Sequence, residues 1–222
     1  MFKDQNVLVT GGGGMIGRSL VRLLLERGAK ITIADLTEPS DLPEGVYYIK
    51  ADLRYFNQCE EICQGRDYIF NLVGIKGSPK MCAEQPVDFM VPMLQFNTNM
   101  MEAAHRAKVK WYLYTSSVGV YAPADVFYED TVWSTLPSKH DWYPAWSKRI
   151  PELILEAYKR QYGFINWTIL RPSNIFGEYD NFGENAMAIP ATIKKVFESD
   201  GEIEAWGDGT PIRDYVYAED VA

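Results

Sequence analysis

Short apolar runs alternate with longer amphipathic stretches along most of the chain. The runs 6–10, 30–35, 46–49, 68–73, 111–116 and 166–171 read as β-strands. Between them, 15–27, 58–64, 89–107 and 147–162 have the spacing of helices with one buried face. Most of the strand runs are continuously apolar rather than alternating, as a parallel sheet covered on both faces requires. The pattern predicts an α/β chain with a Rossmann-like, doubly wound parallel sheet. After Pro172 the texture changes to more Gly, Asn and Asp, with one helix over 188–197 and short strands near 203–206 and 214–217. Residues 1–172 are therefore expected to form the dinucleotide-type domain and 173–222 a small substrate lobe. The chain closes on YVYAEDVA, which reads as the start of a helix, so this lobe is expected to be partial.

Composition narrows the partners. Hydrophobic residues make up 47% of the 222 and charged residues 23%, enough for a sizeable core. No stretch approaches the ~18 consecutive apolar residues of a membrane span, and the N-terminus enters a strand without a signal-peptide pattern. The net charge of −8 argues against nonspecific binding to nucleic acid or anionic lipid. Cys59, Cys63 and Cys82 form neither a disulfide framework nor, with the remote His105 and His140, a metal-ligand spacing. Reduced thiols, no metal and a cytoplasmic location are the expectation.

One segment carries specific chemistry. VLVTGGGGMIG sets Gly11, Gly14 and Gly17 between the first strand and the first helix. A tight turn there brings backbone amides, including those of Met15 and Ile16, against a pyrophosphate, and the positive end of the helix faces it. Asp35 ends the second strand eighteen residues past Gly17, close to the spacing at which an acid meets the adenosine ribose. A carboxylate there accepts from the ribose hydroxyls and repels a 2′-phosphate, which favours NAD over NADP. Leu36 and Thr37 supply no cation, and Arg18 is the one residue nearby that could soften the preference.

With these motifs in place, the chain resembles the extended branch of the short-chain dehydrogenase/reductases, the NAD-dependent epimerases and dehydratases of nucleotide sugars. TGxxGxxG is its phosphate loop. Asp52-Leu53-Arg54 resembles its adenine-contacting segment, and Asn71-Leu72-Val73-Gly74 the strand end that lines the cofactor channel. Lys76 resembles a lysine that UDP-galactose 4-epimerases place near the nicotinamide ribose. TSSVGVY resembles the segment with the catalytic Ser or Thr, here Ser117. RPSNIFG and WGDGTPIRDYVYAEDVA are similar to segments whose Asn and Arg, here Asn174 and Arg213, approach the diphosphate of a nucleotide sugar. DNFGENAMAIP is most similar to GDP-fucose synthases. The resemblance implies a nucleoside-diphosphate-sugar substrate and a homodimer through the helices near 89–107 and 147–162. Met93, Phe96, Met100 and Met101 on the first of these have the spacing of packing residues.

The implied chemistry is hydride transfer assisted by Ser117, a tyrosine and Lys148. Tyr and Lys normally stand at i and i+4 to share a helix face, but YPAWSK puts Pro144 at that position and Tyr143 one residue earlier. Either Pro144 opens the helix and Tyr143 is a cap residue free to enter the site, or Tyr143 only packs. The Asp-Glu pair of dehydratases is replaced by Val118 and Gly119. The Cys and His with which fucose synthases epimerise C3 and C5 are replaced by Gly119 and Tyr179. A redox-neutral 4-epimerisation needs none of these groups. A 4-keto reductase, or a noncatalytic NAD-binding protein, are the alternatives.

Overall fold

In the computed structural model, six parallel strands lie in the order β3-β2-β1-β4-β5-β6. It describes residues 1–222 apart from 76–78, 184–185, 205–206 and 211. The strands are β1 Asn6–Thr10, β2 Lys30–Asp35, β3 Tyr47–Lys50, β4 Tyr68–Asn71, β5 Trp111–Thr115 and β6 Trp167–Leu170. The helices are α1 Met15–Glu26, α2 Phe56–Cys63, α3 Pro79–Glu84, α4 Pro86–Arg106, α5 Trp142–Tyr162, α6 Ala188–Glu198 and α7 Ala218–Val221. The chain winds outward from β1 through β2 to β3, then returns to β4 on the other side. The strand order therefore reverses between β1 and β4, the point at which open α/β sheets bind ligands.

Alternation along β1 supplies both faces of the core. Val7 and Val9 pack with Ile31, Ile33, Leu20 and Leu24 beneath α1. Leu8 points the other way, into a cluster with Ile69, Tyr112, Tyr114 and Leu155. Met93, Phe96, Met100 and Met101 are buried in that second cluster, as their spacing predicts. The three cysteines are free and buried, and burial pushes the Cys59 thiol up to about 12, so it is inert at neutral pH.

A polar knot lies under the carboxyl ends of the central strands. Thr10 Oγ1 donates to Asn71 Oδ1 at 2.7 Å, and Asn71 Nδ2 donates to Asn97 Oδ1 at 3.0 Å and to the Tyr112 hydroxyl at 2.9 Å. Asn97 in turn donates to the Met93 carbonyl at 2.8 Å. The side-chain amides of Asn71 and Asn97 each both donate and accept, and β1, β4, β5 and α4 are fixed in one register directly below the ligand edge.

Several boundaries differ from the sequence expectation. The fourth strand stops at Asn71; the Leu72 amide still donates to the Thr10 carbonyl at 3.1 Å, and the Leu72–Val73 backbone then passes against Gly11 of the loop. The helix expected from 147 begins at Trp142. Two elements have too little periodicity to be expected, α3 and the strand Asn174–Phe176 (β7). β7 pairs in parallel with β8, Tyr215–Tyr217, in a separate two-stranded sheet. Of the strand expected near 203–206, Ile203 and Glu204 have no regular structure, and Ala205 and Trp206 lie outside the described residues.

Replacing Asn71 by Leu removes both sides of the knot and leaves Thr10, Asn97 and Tyr112 with unmatched polar atoms. The variant is expected to lose at least about 2 kcal/mol of stability, read as a lowered urea midpoint with unchanged slope.

Candidate active site at the carboxyl edge of the sheet

The loop after β1 is built by exclusion. Gly11 has φ +70°, and a Cβ there would lie 3.1 Å from the Val73 backbone nitrogen. At Gly17 a Cβ would come within 2.4 Å of the Gly11 carbonyl oxygen. Only glycines let the loop lie against the end of β4 and α1 against the loop. Gly14 caps α1 without a side-chain bond, and among the described residues the amides of Met15, Ile16 and Gly17 have no protein acceptor. Such a cradle of free N–H groups at a helix start fits a diphosphate.

The second strand delivers Asp35 to the same place. Its Oδ1 accepts from the Leu36 amide at 2.7 Å. Its Oδ2 stands 3.6 Å from where a Cβ on Gly13 would be, so the carboxylate faces the loop. Asp52 is held differently. Arg54 donates to both of its oxygens and keeps the carboxyl below its usual range, while the Asp52 amide donates to Gln58 Oε1 at 2.8 Å. Leu53 is buried, and its carbonyl accepts from Asn99 Nδ2 at 3.0 Å. Val73 is partly buried and closes the channel side of the loop. Lys76 lies outside the described residues.

Lys148 occupies the other end of this edge. Its Nζ donates to the Thr115 carbonyl at 2.7 Å, lies 5.6 Å from the Tyr114 ring centre, and would be 3.9 Å from a Cβ on Gly74. Burial lowers its pKa from 10.5 to about 8, against the opposing pull of Glu152 one turn further along α5. Ser117 sits where β5 gives way to a 3-10 turn over Val118–Val120, and its Oγ accepts from the Gly119 amide at 3.1 Å.

Beneath these residues lies a charged group that the sequence pattern did not signal. Glu152 is buried, and both its oxygens accept from Arg171, at 3.0 and 2.7 Å. Ser116 Oγ also donates to Glu152. Arg171 Nη1 reaches the Tyr121 hydroxyl at 3.1 Å. The pair ties α5, the Ser116–Ser117 turn and the start of RPSNIFG together. Its one sequence cue is an acid four residues after Lys148, which helix spacing alone would read as surface.

Two expected placements come out differently. Tyr143 is the second residue of α5, whose cap is Asp141, so it is not a cap residue. Pro144 falls at the third helical position, where its missing N–H breaks no bond; the first helical bond is Ala145 to the Asp141 carbonyl at 2.8 Å. Tyr143 is therefore about 140° around the helix from Lys148. It is 45% exposed and makes no hydrogen bond to Ser117, whose hydroxyl is engaged with Gly119. Trp142 and Trp146 pack on each other edge to face without it. Asn174 and Arg213, by contrast, come together through the β7–β8 pairing. Asn174 Nδ2 donates to the Asp214 carbonyl at 3.0 Å, and among the described residues the exposed Arg213 guanidinium donates only to the neighbouring Ile212 carbonyl.

Residues 7–222 match the model of the NAD dependent epimerase/dehydratase family. The chain belongs to this family. A GDP-L-fucose synthase of Sinorhizobium fredii is 26% identical over 230 residues, covering 99% of this chain and 69% of the relative. A UDP-N-acetylglucosamine 4-epimerase of Methanobrevibacter ruminantium, solved with UDP-N-acetylmuramic acid, superposes with a TM-score of 0.84 at 28% identity, covering 99% of this chain and 71% of that one. A UDP-glucose 4-epimerase of Thermus thermophilus, solved with NAD, gives 0.79 at 28% identity, covering 97% and 71%. The fold is thus that of an extended short-chain dehydrogenase/reductase, and the cofactor of the family is a nicotinamide dinucleotide. The free amides after Gly14 and the carboxylate beside Gly13 fit that cofactor at its diphosphate and its ribose.

The shift at Lys148 has a definite sign. The unfolded chain holds this proton to about 10.4, whereas the folded chain releases it near 8. Between these values the folded state binds fewer protons, so the buried ammonium costs its full amount below pH 8 and the cost fades as pH rises. NMR titration of 13C-labelled lysines in the cofactor-free protein should show one midpoint near 8, absent from Lys148→Met.

Proposed function

We propose that the chain uses NAD to modify a nucleoside-diphosphate sugar by hydride transfer, as a redox-neutral 4-epimerisation. The observation that carries this reading is the Lys148 ammonium held on the Thr115 carbonyl beside Gly74, on the same sheet edge as the glycine loop and Asp35. NAD supplies a hydride acceptor and donor when bound. Gly11, Gly14, Met15, Ile16 and Gly17 hold its diphosphate, Asp35 its adenosine ribose, and Lys148 its nicotinamide ribose. Asp52, Leu53 and Val73 line the remainder of the channel. In this reading a cation at Lys148 also favours the ionised form of a nearby hydroxyl. Ser117 orients the sugar hydroxyl.

Tyr143 is the proposed proton carrier, reaching from the first turn of α5 rather than from a cap. Three other tyrosines near Lys148 and Ser117 have hydroxyls in hydrogen bonds. Tyr112 is in the polar knot, Tyr114 donates to the Lys148 carbonyl at 3.3 Å, and Tyr121 accepts from Arg171. Asn174 and Arg213 approach the sugar diphosphate from the 173–222 lobe, with Arg213 in no ion pair among the described residues. Exposed apolar side chains on the two long helices, Val87, Val91, Leu153 and Tyr162, support a homodimer through α4 and α5. A cytoplasmic setting agrees with buried free thiols. No helix among the described residues is long and apolar enough to cross a membrane.

One observation favours a second reading, a dinucleotide-holding protein without turnover: Tyr143 bonds to neither Ser117 nor Lys148. Proton NMR of UDP- and GDP-hexoses incubated with the protein and catalytic NAD separates the readings. The epimerase produces the C4 epimer with no net NADH. A 4-keto reductase leaves the hexoses unchanged and consumes NADH only with a 4-keto sugar. A holding protein binds NAD and does neither. Tyr143→Phe should lower turnover by about 10²–10⁴ with NAD affinity nearly unchanged; unchanged turnover would remove Tyr143 from the mechanism.

A further inference from the structure

The glycine loop has a second charged neighbour besides Asp35. Arg18, on the first turn of α1, donates from Nε to the Gly13 carbonyl at 2.9 Å. Gly13 is also the residue that faces the Asp35 carboxylate, so Arg18 and Asp35 flank one backbone position. An arginine there is chemically suited to a phosphate monoester, because its planar fork binds two oxygens at once. The fork is already occupied. Nη1 is paired with Asp41, and the guanidinium carbon stands over the Tyr179 ring, 4.3 Å from its centre. Asp41 is on the chain leaving β2, and it shares with Gly12, Arg18, Pro39 and Tyr179 the wall of a cleft of about 420 Å³. Arg22 lines the same cleft one turn further along α1 and is paired with Glu26 and Glu219; the arginine bonded to the glycine loop itself is Arg18, held by Asp41.

We propose that Asp41 is a second determinant of dinucleotide choice. By holding the Arg18 guanidinium, it withholds from a 2′-phosphate the cation that is bonded to Gly13 and adds a second negative charge to that of Asp35. This rests on the NAD reading given above. Asp35 disfavours the phosphate by repulsion at the ribose, and Asp41 by removing the group that would compensate. Tyr179 has φ +64°, an uncommon conformation for a non-glycine residue, and its ring on Arg18 keeps the guanidinium over Gly13 when Asp41 is gone. The side chain freed by losing Asp41 is thus already placed.

Calorimetric titration of NAD and NADP against the wild type, Asp41→Ala, Asp41→Ala/Arg18→Ala and Glu44→Ala tests this. Asp41 is half exposed, so its removal leaves the fold intact. Glu44 is an exposed acid on the same connection and controls for net charge. In Asp41→Ala the ratio of the NADP to the NAD dissociation constant should fall at least tenfold. The double variant should restore most of the wild-type ratio, and Glu44→Ala should move it less than twofold. An unchanged ratio in Asp41→Ala overturns the proposal, and so does an equal fall in Glu44→Ala, which would mean a general field effect. A fall that persists without Arg18 would overturn the role given to the guanidinium. A wild type that binds neither dinucleotide overturns the cofactor assignment itself, and this proposal with it; a wild type that binds NADP as tightly as NAD overturns only the selectivity.

Discussion

The loop after β1 has no room for a side chain at either end. A Cβ on Gly11 would press on the Leu72–Val73 backbone, and one on Gly17 would overlap the Gly11 carbonyl. That closeness lets α1 start at the point where the strand order reverses, with the amides of Met15, Ile16 and Gly17 unpaired among the described residues. The rest of the arrangement depends on it. β2 brings the Asp35 carboxylate beside Gly13, and beyond Asn71 the Leu72–Val73 backbone passes against Gly11. The knot of Thr10, Asn71, Asn97 and Tyr112 then locks the three central strands beneath the loop.

The opposite end of the edge is stabilised by charge rather than by close packing. Glu152 is buried with Arg171, and the pair holds α5 against the turn that carries Ser117. A bidentate pair of this kind offsets its own desolvation only while both partners are present. Lys148, one turn earlier, is an amine desolvated enough to titrate near 8, with a buried carboxylate on its own helix. A group of that sort is suited to stabilising a developing negative charge at neutral pH.

The sheet and the glycine loop were legible in the sequence because each rests on a strong local rule. Continuous apolar runs mark buried parallel strands, and a glycine spacing followed by an acid marks a βαβ phosphate loop. Ser117, Lys148 and the pair Asn174 and Arg213 were legible only through resemblance. The cap expected at Tyr143 failed because proline is tolerated anywhere in a first turn, so Pro144 does not say where the helix begins. Glu152, Arg171 and the Arg18–Asp41 pair were not legible, since each joins residues far apart in the chain and a charged side chain in sequence reads first as surface.

The central claim is that a nicotinamide dinucleotide lies on the unpaired amides of the loop. Backbone 15N–1H NMR of the intact chain during titration with NAD tests it directly. The amides of Gly12, Gly13, Met15, Ile16 and Gly17 should shift together and saturably, ahead of those in α2 or α6. Saturable binding that leaves these five resonances in place, and moves others instead, would contradict the account.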